Sequence, residues 1–308
     1  MRVVLCCATR RGYRFLRKLT ELLPKGSLIV FSFREEAWEP PFLDDIQELT
    51  LSVAGQFFEA THIGETRLAS FWESTPVDLM LVVSWRYIIP KSVYLRPRAG
   101  TFVFHDSLLP EYRGFAPTVW SILNGERRTG VTLFAISEGV DNGDIIDQKS
   151  IEIRPDDTIA EVIESVTDIY VDLLEKNFPQ LLAGTAPRRP QDESLATFTC
   201  KRLPQDNQID WNLPTDRIYN LIRASGKPYP GAYTYLNGKK LTIWSAQRLN
   251  NFPRYVGRIP GRVVEIRRGE GSVVLTADGC VLLRQIQIEG GEPVCAADVL
   301  NRLSQTLG

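Results

Sequence analysis

The run VDLMLVVS at residues 77–84 decides how this chain is read. Apart from Asp78 and the closing serine it is unbroken apolar sequence, and a run of that length suits a parallel strand covered on both faces. Working outward, Thr101-Phe102-Val103-Phe104 forms a second strand, and shorter apolar runs precede both, at residues 1–7, Leu28 to Phe33 and Phe57 to Thr61. Between them lie helical patterns: Phe15, Leu16, Leu19, Leu22 and Leu23 after the first strand, a loop entering a short helix at 34–48, and a helix near 64–74. Strands alternating with helices predict an α/β, doubly wound, Rossmann-like sheet, whose ligands sit outside the carboxyl ends of its strands. A long helix from Thr158 to Leu182, ended or kinked near Pro179, closes this part. Gly184-Thr185-Ala186-Pro187-Arg188-Arg189-Pro190 reads as a linker. Beyond it, one helix near Asp216 to Ala224 lies among short strands, and from Gly257 onward alternating apolar residues with turns at 269–271 and 278–279 predict a barrel or sandwich. The chain therefore divides into residues 1–186 and 187–308, the second part being smaller, β-rich and barrel-like.

Composition narrows the function classes. With 44% hydrophobic and 24% charged residues, and no apolar run near the ~20 residues of a membrane helix, the chain reads as a globular protein with no membrane partner. Its opening, soon interrupted by Arg10 and Arg11, does not read as a signal peptide, so a cytoplasmic location is expected. Five cysteines, at 6, 7, 200, 280 and 295, fit neither a disulfide framework nor zinc spacing, and no metal is expected. A net charge of −1 supplies no global field to attract a polyanion. Arg10 and Arg11 precede a helix N-terminus, where they read either as a solvated basic turn or as the dock for a substrate phosphate. No G-x-G-x-x-G follows the first strand, so the dinucleotide fingerprint is absent.

The chemistry centres on His105, one of only two histidines. It stands at a strand end, and strand alternation puts Val103 on the same face. A histidine there serves as a general base near neutral pH, and a nearby carboxylate stabilises its charged form and fixes its orientation. Asp141, in Glu138-Gly139-Val140-Asp141-Asn142-Gly143-Asp144, lies in a tight turn. Ser107-Leu108-Leu109-Pro110 between them reads as a turn with its leucines in the core, and Tyr112-Arg113-Gly114 as a second turn. Trp85 and Tyr87, after the central strand, read as cover for the sheet or as walls of a ligand site.

Taken together, His105-Asp106-Ser107-Leu108-Leu109-Pro110-Glu111-Tyr112-Arg113-Gly114, Ala116-Pro117, Asn124-Gly125-Glu126, Thr129-Gly130-Val131-Thr132 and Val140 to Asp144 resemble the formyl-tetrahydrofolate-dependent formyltransferases. That family includes methionyl-tRNA formyltransferase, glycinamide ribonucleotide formyltransferase and the sugar N-formyltransferases. Ile209-Asp210-Trp211, Ile222-Arg223-Ala224 and Pro228 to Ala232 are similar to the second domain of the tRNA and amino-sugar branches, so the likeness spans nearly the whole chain. The resemblance implies an enzyme in which His105 and Asp141 manage protons while a formyl group passes from formyl-tetrahydrofolate, as co-substrate, to a primary amine. It implies a folate site lined by Trp85, Arg86, Tyr87 and Ile88, by Ser107, Leu108 and Leu109, and by Asp144, with Tyr112 and Arg113 bordering the acceptor. Val103 stands where the family has an asparagine that hydrogen-bonds the formyl oxygen, and valine has no donor. Asn142 or a backbone N–H could replace it, His105 could act without help, or the protein could be a catalytically weakened folate-binding or sensing protein.

The wording Phe115 to Trp120 and Leu241 to Ala246 is closer to the nucleotide amino-sugar branch. The expected acceptor is therefore a small-molecule amine on a nucleotide-linked amino sugar, with methionyl-tRNA formyltransferase as the alternative. A tRNA enzyme would carry a basic surface, and here only Arg188-Arg189 and Arg267-Arg268 hint at one. A homodimer is left open.

Overall fold

In the computed structural model, which describes residues 1–308, strand β1 (Val3–Cys7) is buried at every position. Helix α1 (Thr9–Leu22) lays Phe15, Leu16 and Leu19 into the core, the spacing of one helical face. Gly12 allows the close approach of helix to strand, because a Cβ there would stand 3.0 Å from Cys7 Cβ. The alternation continues through β2 (Leu28–Ser32), α2 (Leu43–Ser52), β3 (Gln56–Glu59), α3 (Ala69–Ser74), β4 (Leu79–Val83), α4 (Lys91–Tyr94) and β5 (Thr101–His105). A two-residue strand β6 (Arg113–Gly114), α5 (Pro117–Asn124), β7 (Arg128–Ala135), β8 (Ile145–Glu152) and α6 (Ile159–Ala183) follow.

The seven-stranded sheet runs β3-β2-β1-β4-β5-β7-β8, parallel from β3 to β5, with β7 antiparallel to β5. The order reverses between β1 and β4, so the loops leaving those strands diverge at a crevice beyond their carboxyl ends. His105 closes the next strand at the same end of the sheet. The helix does not end at Pro179, and α6 carries the proline inside it. Pro179 is exposed while Phe178 and Leu181 beside it are buried, so packing of the last turns holds the helix through the lost hydrogen bond.

The chain forms two compact units. One comprises Met1–Pro117, Thr129–Ile151 and Ile163–Thr199, and the other Thr118–Arg128, Glu152–Val162 and Cys200–Gly308. The linker hydrogen-bonds back to the first unit. Arg189 and Ile145 exchange backbone bonds of 2.8 and 2.9 Å, and strand β9 (Phe198–Thr199) pairs in parallel with β6. In the second unit, α7 (Thr215–Ser225) precedes strands β10 (Ala232–Leu236), β11 (Lys239–Arg248), β12 (Val263–Arg267), β13 (Gly271–Leu275), β14 (Cys280–Ile288) and β15 (Val294–Cys295), then α8 (Ala296–Val299). The antiparallel sheet β10-β11-β14-β13-β12 packs around Trp211, Ile218, Ile222, Ile243, Leu283 and Ile286. Residues 305–307 hydrogen-bond along Gly261 and Val263, and Gly308 N donates to Tyr235 O, so the final segment links both edge strands in a barrel-like closure. No helix is long and apolar enough to cross a membrane.

Candidate active site

Every group described here belongs to the first unit. Its foundation is β5, where Phe104 packs edge-on against Phe15 on one face and Val103 and His105 share the other. Val103 packs against the apolar cluster of Leu109, Phe134 and Ile145, and against the central core that contains Met80 and Val82. His105 is buried, with Nε2 lying 2.9 Å from the carbonyl oxygen of Tyr112. A carbonyl only accepts, so Nε2–H is the donor and Nδ1 is left for other work. That nitrogen faces Asp141 Oδ2 at 3.6 Å, longer than a hydrogen bond. The Asp141 carboxylate is held instead by the Gly114 N–H at 2.8 Å. Gly114 sits at φ +106°, and a Cβ there would meet Thr199 O at 2.6 Å, so only glycine fits this turn.

The turn after His105 is fastened from across the sheet. Thr132, cross-strand from His105, donates to Ser107 O at 2.6 Å and accepts from Leu109 N at 3.0 Å. Gln148 Nε2 adds bonds to Leu109 O at 2.8 Å and Thr132 Oγ1 at 2.9 Å. Ser107 Oγ donates to Glu111 O, Leu109 is buried, and Leu108 lies against the backbone at Gly130. These three side chains therefore build the turn itself. Beneath it, the Arg11 guanidinium contacts both Asp106 oxygens at 2.7 and 2.6 Å, and the Tyr170 hydroxyl lies against Asp106 and the Phe104 carbonyl. Burial alone would raise the Asp106 pKa, but Arg11, Tyr170 and the neighbouring His105 together hold this carboxyl below the ordinary value.

The geometry also shows where the other expected site residues lie. The α1 N-terminus receives the Glu35 carboxylate, which accepts from Thr9 N at 3.3 Å. Arg10 pairs with Glu164 at 2.6 Å and Arg11 with Asp106 at 2.6 Å, so both guanidinium groups have protein carboxylates as partners. Arg113 is 2% exposed and gripped by Glu193 and Gln191, so its guanidinium faces the protein interior rather than an acceptor. Asn142 closes its own turn: its Nδ2 donates one hydrogen to Glu138 O at 3.0 Å and its Oδ1 accepts from Ser137 Oγ at 2.6 Å. Asp144 is half-buried and its carbonyl accepts from Ala135 N. Tyr112 contributes through its backbone, at φ +59°, with its N–H donating to Thr197 Oγ1.

In the loop after β4, Phe33, Trp85 and Tyr87 stack edge-on, with Phe33 5.4 Å from Trp85 and 5.0 Å from Tyr87. Arg86 pairs with Glu39, whereas Ile88 is almost fully exposed. The Trp85 Nε1–H is buried and makes no hydrogen bond. The sequence did not single out Gln148, Gln191 or Glu193. Each acts from a strand or linker distant in sequence, where one polar residue among polar residues carries no signal.

Comparison with known proteins sets this geometry in context. Two family models match, formyl transferase over residues 31–176 and the formyl transferase C-terminal domain over residues 203–304. The chain belongs to the formyl transferase family. A formyl transferase relative, methionyl-tRNA formyltransferase of Agathobacter rectalis, is 34% identical over 80% of this chain and 77% of its own. Among solved structures, the N-formyltransferase from Helicobacter canadensis, in complex with folinic acid and dTDP-3-aminofucose, shares the fold with a TM-score of 0.67 at 19% identity, over 92% of this chain and 98% of that one. HypX from Aquifex aeolicus, in complex with tetrahydrofolic acid, aligns with a TM-score of 0.63 at 21% identity, over 97% of this chain. The present chain spans 47% of that protein. Enzymes of the formyl transferase family catalyse formyl transfer from formyl-tetrahydrofolate. No group of three or more His, Cys, Asp or Glu side chains stands where it could hold a metal ion.

Proposed function

We propose that this chain is an N-formyltransferase that passes a formyl group from formyl-tetrahydrofolate to the primary amine of a nucleotide-linked amino sugar. The observation that carries formyl transfer is the pair His105 and Asp141, whose Nδ1 and Oδ2 face each other at 3.6 Å without closing a hydrogen bond. An amine nitrogen seated beside that gap meets a base on one side and a carboxylate on the other. His105 Nδ1 takes the proton that the amine sheds, Asp141 steadies the imidazolium, and the same proton is returned to the departing nitrogen. The bound folate supplies an activated formyl carbon, whose bond to the folate nitrogen breaks as the new C–N bond forms. The loop from Ser84 to Pro90 suits the pterin, since Trp85 Nε1–H lacks a partner and Ile88 stands exposed.

The reading of the acceptor rests on the rim. Val140 adjoins Asp141, Phe115 follows Gly114, and Phe198 pairs with Arg113 across the β6–β9 ladder. All three are exposed, as is Leu195 in the same linker, so the rim is apolar and partly aromatic. Such a rim suits stacking on a single base better than a run of phosphates. Of the arginines that hint at a basic surface, one is paired with a carboxylate. Arg189 bonds Gln148, Arg188 lies over Phe102, and Arg267 pairs with Glu265. A second reading, methionyl-tRNA formyltransferase, is favoured by the 34% identity to that enzyme of Agathobacter rectalis. Purified protein supplied with formyl-tetrahydrofolate and, separately, amino-sugar nucleotides or charged initiator tRNA decides between them. Tetrahydrofolate release with the sugar alone supports the first reading, and release with tRNA alone replaces it. Folate binding without turnover on any amine favours a weakened, sensing protein.

A further inference from the structure

Arg113 is among the largest fully buried side chains, yet it is a cation, and the groups that neutralise it come from the linker. Glu193 meets it with two bonds, Nη1 to Oε2 at 2.8 Å and Nη2 to Oε1 at 2.7 Å. Gln191 Oε1 accepts from its Nε at 3.1 Å and from its Nη2 at 2.7 Å. The other end of the same amide donates to Asp141 O and to Gly143 O, each at 2.8 Å. The Gln191 amide therefore uses both hydrogens and both acceptor positions. Its orientation is unambiguous, because rotating it would set N–H groups against a guanidinium and an oxygen against two carbonyls.

The connection matters because of what lies beside Arg113. Tyr112, before it, supplies the carbonyl that binds His105 Nε2, and Gly114, after it, supplies the N–H that binds Asp141 Oδ2. Gly143 lets the second loop pass close to the sheet, since a Cβ there would stand 1.7 Å from Ala135 O. We propose that Gln191 is a positioning residue for formyl transfer, bridging the Arg113 and Asp141 loops and so setting the separation of His105 and Asp141. The inference rests on the reading of that pair as the proton-handling groups. It also assigns the segment after the first-domain helices a task in the chemistry beyond joining two units.

Two variants test it. Gln191→Met keeps the volume and removes every hydrogen bond, while Gln191→Glu keeps the acceptor for Arg113 and sets a carboxylate against two carbonyls. Both are expected to lower kcat about 10²-fold with the KM for formyl-tetrahydrofolate within about twofold, since an ångström of misplacement has that scale of effect. Val274→Ala, in the buried core of the second unit, provides a destabilised chain with kcat unchanged. A readout independent of turnover is the ring-proton resonance of His105, isolated in a His62→Gln background, which moves in both Gln191 variants. If the wild type transfers no formyl group while that resonance still moves, the functional reading fails and the positioning bridge stands. Folded Gln191 variants with wild-type kcat and an unmoved His105 resonance overturn the bridge.

Discussion

His105 and Asp141 face each other at 3.6 Å, and each is fixed by a backbone group of one short turn: the imidazole by Tyr112 O and the carboxylate by Gly114 N. The two side chains are thus aligned without consuming each other's hydrogen-bonding capacity. His105→Ala removes the base and Asp141→Asn removes the charge, and each is expected to lower formyl transfer by at least about 10²-fold. Asp141→Asn keeps an oxygen for Gly114 N–H, so its melting temperature should stay near that of the wild type. Initial rates with a cognate amine, alongside thermal unfolding, check this, and wild-type rates in both variants would remove the pair from the mechanism.

Val103→Asn tests what the apolar residue beside His105 does. An amide at this position would supply the donor that the resemblance leads one to expect, and one such donor is worth about 10²–10³ in rate. Val103 also packs between two apolar clusters, so a buried amide with an unmatched end costs about 1–3 kcal/mol. The expected result is a faster and less stable enzyme, read from kcat and from the urea midpoint. An unchanged kcat would place the stabilising donor elsewhere.

The ion pair under the site makes a stability prediction with a definite sign. Asp106 is held below its ordinary pKa, so its contribution is present above the unfolded value of about 3.9 and is lost as pH falls through the lower folded value. Arg11→Met leaves that carboxylate largely buried and without its main cation, which costs about 3–5 kcal/mol at pH 7. Burial then raises the Asp106 pKa, so this variant recovers stability on mild acidification while the wild type does not. Adding Asp106→Leu to Arg11→Met should restore most of the loss at pH 7. Urea unfolding at pH 7 and pH 5 measures both effects, and parallel pH dependence in variant and wild type would refute the account.

The sheet was legible because β1, β2 and β4 are buried on both faces and so appear as unbroken apolar runs. The antiparallel entry of β7 was not, since direction leaves no mark on an apolar run. His105 and Asp141 were legible through the motif around them. Their fixing groups were hidden, because Tyr112 and Gly114 act through the backbone and depend on positive φ at both residues. Arg11 read as part of a solvated turn or a phosphate dock because its carboxylate partner lies 95 residues away in sequence. The linker looked passive for a similar reason: Gln191 and Glu193 are ordinary in a polar segment and gain their meaning only from the buried Arg113.

Phe198 provides the sharpest test of the acceptor. It is 67% exposed, so truncating it should change stability by less than about 0.5 kcal/mol. Its ring lies 5.8 Å from the Arg113 guanidinium, which supports one side and leaves the ring at the rim. Stacking on a base is worth about 1–3 kcal/mol, so Phe198→Ala should raise the KM for an amino-sugar nucleotide by about tenfold or more. The KM for formyl-tetrahydrofolate should not change, and a free amino sugar without its nucleotide should be used equally by variant and wild type. Loss of rate on the free sugar would instead place Phe198 in support of the His105 and Asp141 loops, because its strand partner Arg113 is the residue those loops share.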